Sequence, residues 1–179
     1  MKWSSLIDPA LINESVNSYV KSLQDQINDL HEHHHSLRTK TIEHFTKLEQ
    51  QISELQQHSF ERFYQDALQK DPYAQYQVAQ MFESGQGVNQ DDQHAFKWYQ
   101  KSALQNYEHA QAKVALMYQE GRGVPKNDSK AFEWYQKAAL NHHQQAQYQL
   151  AFMYQQGVGT DQNNEKALEW YRKADSLNK

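Results

Sequence analysis

The sequence predicts an all-α fold, an α/α superhelix (solenoid) of stacked helical hairpins preceded by a long helical segment. Three observations predict it. A glycine pair, G-x-G, recurs at Gly85, Gly121 and Gly157 at intervals of 36 residues. Each interval holds two apolar patterns of helical period, enough for one αα-hairpin. Between Pro9 and Pro72 there is neither glycine nor proline, so nothing there breaks a helix.

The N-terminal segment, residues 1–56, comes first in the chain. Asp8 is placed to cap its helix and Pro9 to occupy the first helical position. Val16, Val20, Leu23, Ile27, Leu30, His34, Leu37 and Thr41 then alternate steps of four and three, the spacing of a coiled-coil seam. The spacing resumes at Phe45, Leu48, Ile52 and Leu55 after a step of four where three was due, which marks a stutter or a helix break. A seam of this kind must be covered. Either two chains pair through it as a homodimer, or the segment folds back near residues 31–39 as a hairpin.

Residues 57–71 read as a capping half-repeat, because Phe60, Ala67, Leu68 and Gln69 stand 36 residues before Phe96, Ala103, Leu104 and Gln105. Three repeats follow, 72–107, 108–143 and 144–179. In register at the same interval lie Trp98, Trp134 and Trp170; Ala74, Ala110 and Ala146; Ala79, Ala115 and Ala151; Met81, Met117 and Met153; and Lys101, Lys137 and Lys173. Within a repeat, a first helix from about Ala74 to Ser84 ends at the glycine pair, which can take positive φ and close a helix. A second, from about Asp92 to Gln105, carries Ala95, Phe96, Trp98, Tyr99 and Ala103 on one face. A lone hairpin cannot cover its apolar face, so neighbours must stack.

The strings AQAKVALMYQEGRGV from Ala110 and KAFEWYQKAA from Lys130 resemble the Sel1-like repeats, relatives of the tetratricopeptide repeat. The resemblance covers residues 72 to 179. It implies a right-handed superhelix with first helices on its concave side, binding proteins or peptides as an adaptor, with no reaction attached. Two departures stand out. Ala79, Ala115 and Ala151 replace the usual glycine, which still permits close helix approach. Lys70, Asn106 and His142 stand where the family often has glycine at the end of the second helix, and only asparagine enters the left-handed region readily. A different inter-repeat turn is therefore expected.

Composition narrows the function. Aromatic residues make up 12% of the 179, more than disordered chains carry, so the chain should fold. With 18 basic and 22 acidic side chains the net charge is −4, which gives no reason to bind nucleic acid or an anionic membrane. The absence of cysteine excludes disulfides, a thiol nucleophile and Cys-ligated zinc. The opening MKWSSLIDPALINES lacks the apolar core of a signal peptide and no apolar run reaches membrane-spanning length, so a cytoplasmic location is expected.

Candidate chemistry is sparse. His31 and His35, one helical turn apart in the run HEHHH, are the metal candidates, for zinc or nickel, but no Cys, Asp or Glu obviously completes a four-ligand site; the leading reading is a solvated or seam-packed histidine cluster, and the third is a protonation switch. His142 and His143 fall in an inter-repeat turn. Asp91, Asp92, Asp128 and Asp161 flank second-helix starts, where capping and the helix dipole account for them. No phosphate-binding, dinucleotide or nucleophile-elbow motif is present, and no cofactor is implied.

A binding surface is suggested by contrast within the chain. On the first helices Ala74, Gln75, Val78, Ala79, Met81 and Phe82 repeat along one arc, while the opposite arc varies. That arc supplies the candidate protein-binding residues: Tyr73, Tyr76, Gln77 and Gln80; His109, Lys113 and Leu116; Tyr148, Gln149 and Phe152. The leading expectation is an adaptor or regulator, not an enzyme, holding a protein or peptide there. A structural homo-oligomer and a metal or pH sensor built on His31–His35 are the alternatives.

Overall fold

The computed structural model describes residues 9–176, with side chains from residue 17 onward. Asp8 and the side chain of Val16 lie outside the described residues. Seven helices follow one another: α1 (Pro9–Leu68), α2 (Pro72–Ser84), α3 (Asp92–Ala103), α4 (Glu108–Glu120), α5 (Asp128–Leu140), α6 (Gln144–Gln156) and α7 (Asn164–Ser176). Among the described residues there is no strand. The chain divides into two compact units, Met1–Ile52 and Ser53–Lys179.

The first unit is helical throughout its described part. With 60 residues, α1 is one continuous helix about 90 Å long at roughly 1.5 Å per residue. The expected alternatives of a hairpin near residues 31–39 and of a break at Thr41–Phe45 are thereby corrected. The hydroxyls of Thr39, Thr41 and Thr46 donate to the carbonyls of His35, Leu37 and Ile42 at 3.0, 2.8 and 3.0 Å, so polar side chains at the seam's change of step are satisfied within the helix. The seam residues Val20, Leu23, Ile27, Leu30, Leu37, Phe45, Leu48, Ile52 and Leu55 are all exposed.

The second unit stacks the end of α1 and three hairpins, α2–α3, α4–α5 and α6–α7. Helix starts are set by capping side chains. Asp71 accepts from the Ala74 N–H at 2.6 Å ahead of Pro72 at the first turn, and Asp91, Asn127 and Asn163 accept from the N–H three residues on, each at 2.9 Å. Of the carboxylates flanking second helices, only Asp91 is itself a cap; Asp128 is the first residue of α5, where the helix dipole favours it. The first glycine of each pair closes a first helix with positive φ. The second is needed for approach: a Cβ on Gly123 or Gly159 would collide with the carbonyl of Asp92 or Asp128 at the preceding second helix.

The turns between repeats correct an expectation. Lys70, Asn106 and His142 all adopt left-handed φ, at 70°, 65° and 63°. Packing on either side fixes the turn, and the side chain occupying it bears the strain. Just beyond, the buried Gln75, Gln111 and Gln147 donate their amides to the carbonyls of Ala67, Ala103 and Ala139 at 3.1, 3.2 and 3.1 Å. The 36-residue spacing has become a ladder of hydrogen bonds between units.

The core is built from the repeated positions. Trp98, Trp134 and Trp170 are buried, as are the alanines that repeat with them. Each indole also carries a lysine over its face, Lys101, Lys137 and Lys173, at 3.7, 4.1 and 4.2 Å from the ring centroid. Phe60 meets Phe82 edge-on at 5.6 Å and Tyr64 meets Trp98 at 5.6 Å, so the last turns of α1 cover the first hairpin.

Candidate functional site: the first-helix face

On α2, α4 and α6 the repeated arc is turned into the core. Ala74, Gln75, Val78, Ala79 and Met81 are buried, with their counterparts in the next two repeats. The varying arc retains exposure, but its residues fall into four kinds.

Tyr73, His109 and Phe152 are open to solvent; Tyr73 is 50% and Phe152 44% exposed. Tyr73 touches Phe63 and Tyr107 only edge-on, at 6.2 and 6.5 Å. Gln77, Gln80, Leu116 and Gln149 are half-buried. The remaining tyrosines are held from behind. Tyr76 packs on Tyr99 at 5.4 Å and on Tyr107 at 5.3 Å, and its hydroxyl accepts from Gln80 Nε2 at 3.3 Å. Tyr148 lies 6.3 Å from Tyr171 and donates its hydroxyl to Asp175 at 2.6 Å. Both rings therefore brace a second helix of their own repeat while keeping an edge in solvent. A cleft of about 400 Å³ opens at one end of the face, lined by Phe63, Gln77, Gln80, Glu83 and Ser84 among others.

Lys113 belongs to a polar network. The Glu83 carboxylate accepts from Tyr99 Oη at 2.6 Å, from Lys113 Nζ at 3.0 Å and from Arg122 Nη2 at 2.5 Å. Arg122 also reaches Asp92 at 3.4 Å and Glu120 at 3.7 Å. Burial alone would raise the Glu83 carboxyl, but the hydrogen bonds from Tyr99, Lys113 and Arg122 outweigh it and hold the group below its usual range. The hydrogen bond to Glu83 raises Arg122 in turn. Burial, then the bond to Glu83, pushes the Tyr99 hydroxyl far up. In the next repeats the tyrosine is kept and the charge is not: Tyr135 and Tyr171 donate to Gln119 and Gln155 at 3.1 and 3.2 Å. Burial pushes Tyr135 up to about 12.

Sequence reasoning placed Lys113 on the face but missed Arg122 and the network. The signal was present. Glu83, Lys113 and Arg122 replace glutamine, glutamine and glutamine or valine at the matching places of the other repeats, so three charges enter one junction together.

The histidines separate by location. His31 and His35 lie exposed on α1, and among the described residues no group of three or more His, Cys, Asp or Glu is arranged to hold a metal ion. His143 caps α6, its Nδ1 accepting from the Ala146 N–H at 3.1 Å, and packs edge-on against His109 at 5.0 Å. Burial, and then His109, lowers its basicity, which keeps the capping nitrogen free to accept. No described helix is long and apolar enough to cross a membrane.

The comparisons with known proteins agree on the array. The family model for the Sel1 repeat matches residues 72–107, 108–143 and 144–176. A Sel1 repeat protein from Oxalobacter formigenes is 37% identical, covers 60% of this chain and 44% of its own, and superposes with a TM-score of 0.59. A protective antigen of uropathogenic Escherichia coli with an SLR fold is 31% identical over 68% of this chain and 26% of its own, with a TM-score of 0.66. The chain thus spans less than half the length of either protein. Cysteine rich protein B of Helicobacter pylori, at 20% identity, 69% and 91% coverage and a TM-score of 0.56, shares the fold. No curated protein sequence matches the chain.

Proposed function

Since this chain belongs to the Sel1 repeat family, whose repeats are generally protein-interaction modules, we propose that it is a non-enzymatic adaptor or regulator that binds a segment of another protein along the first-helix face. The observation that carries this reading is the exposure of Phe152 and Tyr73 on an arc whose opposite side is fully packed. Exposed aromatics on a rigid scaffold are typical interface anchors. Gln77, Gln80 and Gln149 beside them offer both a donor and an acceptor, which suits the backbone of an extended segment. Lys113 is tied to Glu83 and fixes the floor of the face more than it meets a ligand.

The test is a pull-down with the intact chain from its native host, followed by titration of the recovered partner against Tyr73→Ala with Phe152→Ala. Affinity should fall roughly thirtyfold, the loss of one strong anchor. The thermal midpoint should hardly move. Undiminished affinity would remove the binding site from this face.

A second reading concerns α1. Its seam, exposed from Val20 to Leu55, spans about five heptads, or roughly 50 Å of helix, more than a coiled-coil pair needs. We propose that a second copy of the chain covers it, and the mark of that state is a solution mass twice that of the chain.

A further inference from the structure

Repetition normally marks residues that serve the core, yet one repeated apolar position does not. Leu68, Leu104 and Leu140 stand 36 residues apart and are 51%, 68% and 62% exposed. They border clefts between successive second helices, on surface that the first-helix face does not include. One cleft, of about 410 Å³, is lined by Ala67, Leu68, Gln75, Trp98, Lys101 and Leu104, with Lys70 at its edge. The other, of about 380 Å³, repeats it two units on, with Ala139, Leu140, Gln147, Trp170 and Lys173, and His142 at the place of Lys70. Leu104, Trp134 and Lys137 continue the row between them.

Two features say what these clefts would take. The first is charge. No carboxylate lines either cleft, and each holds a lysine whose ammonium lies over its tryptophan. Among the described residues Lys101 and Lys137 have no carboxylate within ion-pair distance, while Lys173 is shared with Glu169 at 2.7 Å. In a chain of net charge −4 this is a local basic row with apolar floors.

The second is an orphan acceptor. Gln75 Oε1 accepts from Gln105 Nε2 at 2.8 Å, and Gln111 Oε1 from Asn141 Nδ2 at 2.9 Å, in each case from the residue thirty positions on. Gln147, the third in this series, is 3% exposed, and among the described residues its Oε1 has no hydrogen-bond partner. A buried acceptor left in this state is destabilising, and a donor brought to it relieves the cost.

We propose that the second-helix row is a separate docking surface for an acidic, apolar peptide segment of another protein. The segment seats aliphatic or aromatic side chains in the clefts between Leu68 and Leu104 and beside Leu140. Its carboxylates lie along Lys101, Lys137 and Lys173. The Gln147 amide, which lines the second cleft, turns its buried Oε1 outward to accept a backbone N–H of the segment.

The test is to pan a random dodecapeptide library over the intact chain and to measure the enriched peptides on labelled protein. Selected peptides should carry aliphatic or aromatic residues flanked by Asp or Glu. They should shift the indole signals of Trp98 and Trp170 and the side-chain amide of Gln147. Binding should weaken roughly thirtyfold in a Leu104→Glu, Leu140→Glu double variant, whose exposed positions leave the fold intact by circular dichroism, and should be unmoved by Phe152→Ala. If the double variant does not fold, Leu140→Ser and the mapping on the unaltered chain decide instead. Absence of enrichment, a basic or uncharged consensus, shifts confined to the first-helix face, or a row occupied by a second copy of the chain would each overturn the proposal.

Discussion

The two units of this chain put apolar periodicity to opposite ends. In Ser53–Lys179 alanine, methionine and tryptophan recur so that each repeat buries what its neighbour exposes, and Val78, Val114 and Leu150 have no accessible surface. In Met1–Ile52 the apolar residues recur at seam spacing along one helix, and those described are 39–68% exposed from Tyr19 to Phe45 and Leu48. A periodic pattern therefore predicts a face, but whether the chain itself covers that face depends on what stands opposite. The array supplies its own opposite surface every 36 residues. The helix does not.

The largest expected effect tests the array's side of this contrast. Trp134→Ala empties the centre of the middle repeat and should cost about 3–5 kcal/mol, the loss usual for a buried large aromatic. Because neighbouring units hold one another, urea unfolding followed by tyrosine and tryptophan fluorescence should show a single earlier transition. An unchanged midpoint would mean that the repeats do not share a core.

A smaller effect sharpens the difference between repeats. Glu83→Gln makes the first junction resemble the second and third, and should cost about 1–2 kcal/mol at neutral pH, after allowance for the half-exposed Arg122. Because folding lowers the Glu83 pKa from its ordinary 4.5, its contribution is complete well above that value and is lost as pH falls through the folded value. Stability measured from pH 6 downward should decline more steeply in the native chain than in the variant. Parallel curves would remove Glu83 from the account.

The smallest effect has the opposite sign. His142 holds φ at 63°, a region that costs a non-glycine residue about 1–2 kcal/mol, so His142→Gly should stabilise the array by up to about 1 kcal/mol once glycine's extra entropy is set against it. A lowered midpoint would show that the imidazole makes a contact worth more than the strain.

What the sequence made legible was whatever repeats. The hairpins, the buried tryptophans, the glycine pairs and the half-repeat resemblance at Phe60–Gln69 could all be read from one interval. Single-position propensity misled at Lys70 and His142, where packing on both sides dictates the turn and overrides the side chain's preference. The Glu83–Lys113–Arg122 network lay in residues 30 and 39 positions apart, a separation that only the stacking of units brings into contact. Leu68, Leu104 and Leu140 were legible as a repeat but not as surface, because recurrence alone does not say which side of a helix a neighbour covers. The Tyr76 and Tyr148 rings were placed on the varying arc, yet their bracing by Tyr99 and Asp175 depends on the angle between paired helices, which sequence spacing leaves open.

The contrast between a self-covering array and an uncovered helix is tested most directly by sedimentation equilibrium of the intact chain beside an Ile27→Asp, Leu30→Asp, Leu48→Asp variant. The native protein should sediment at twice the chain mass and the variant at a single chain mass, with the tryptophan fluorescence of the array unchanged. A native protein that sediments as one chain, or a variant that keeps the doubled mass, would contradict it.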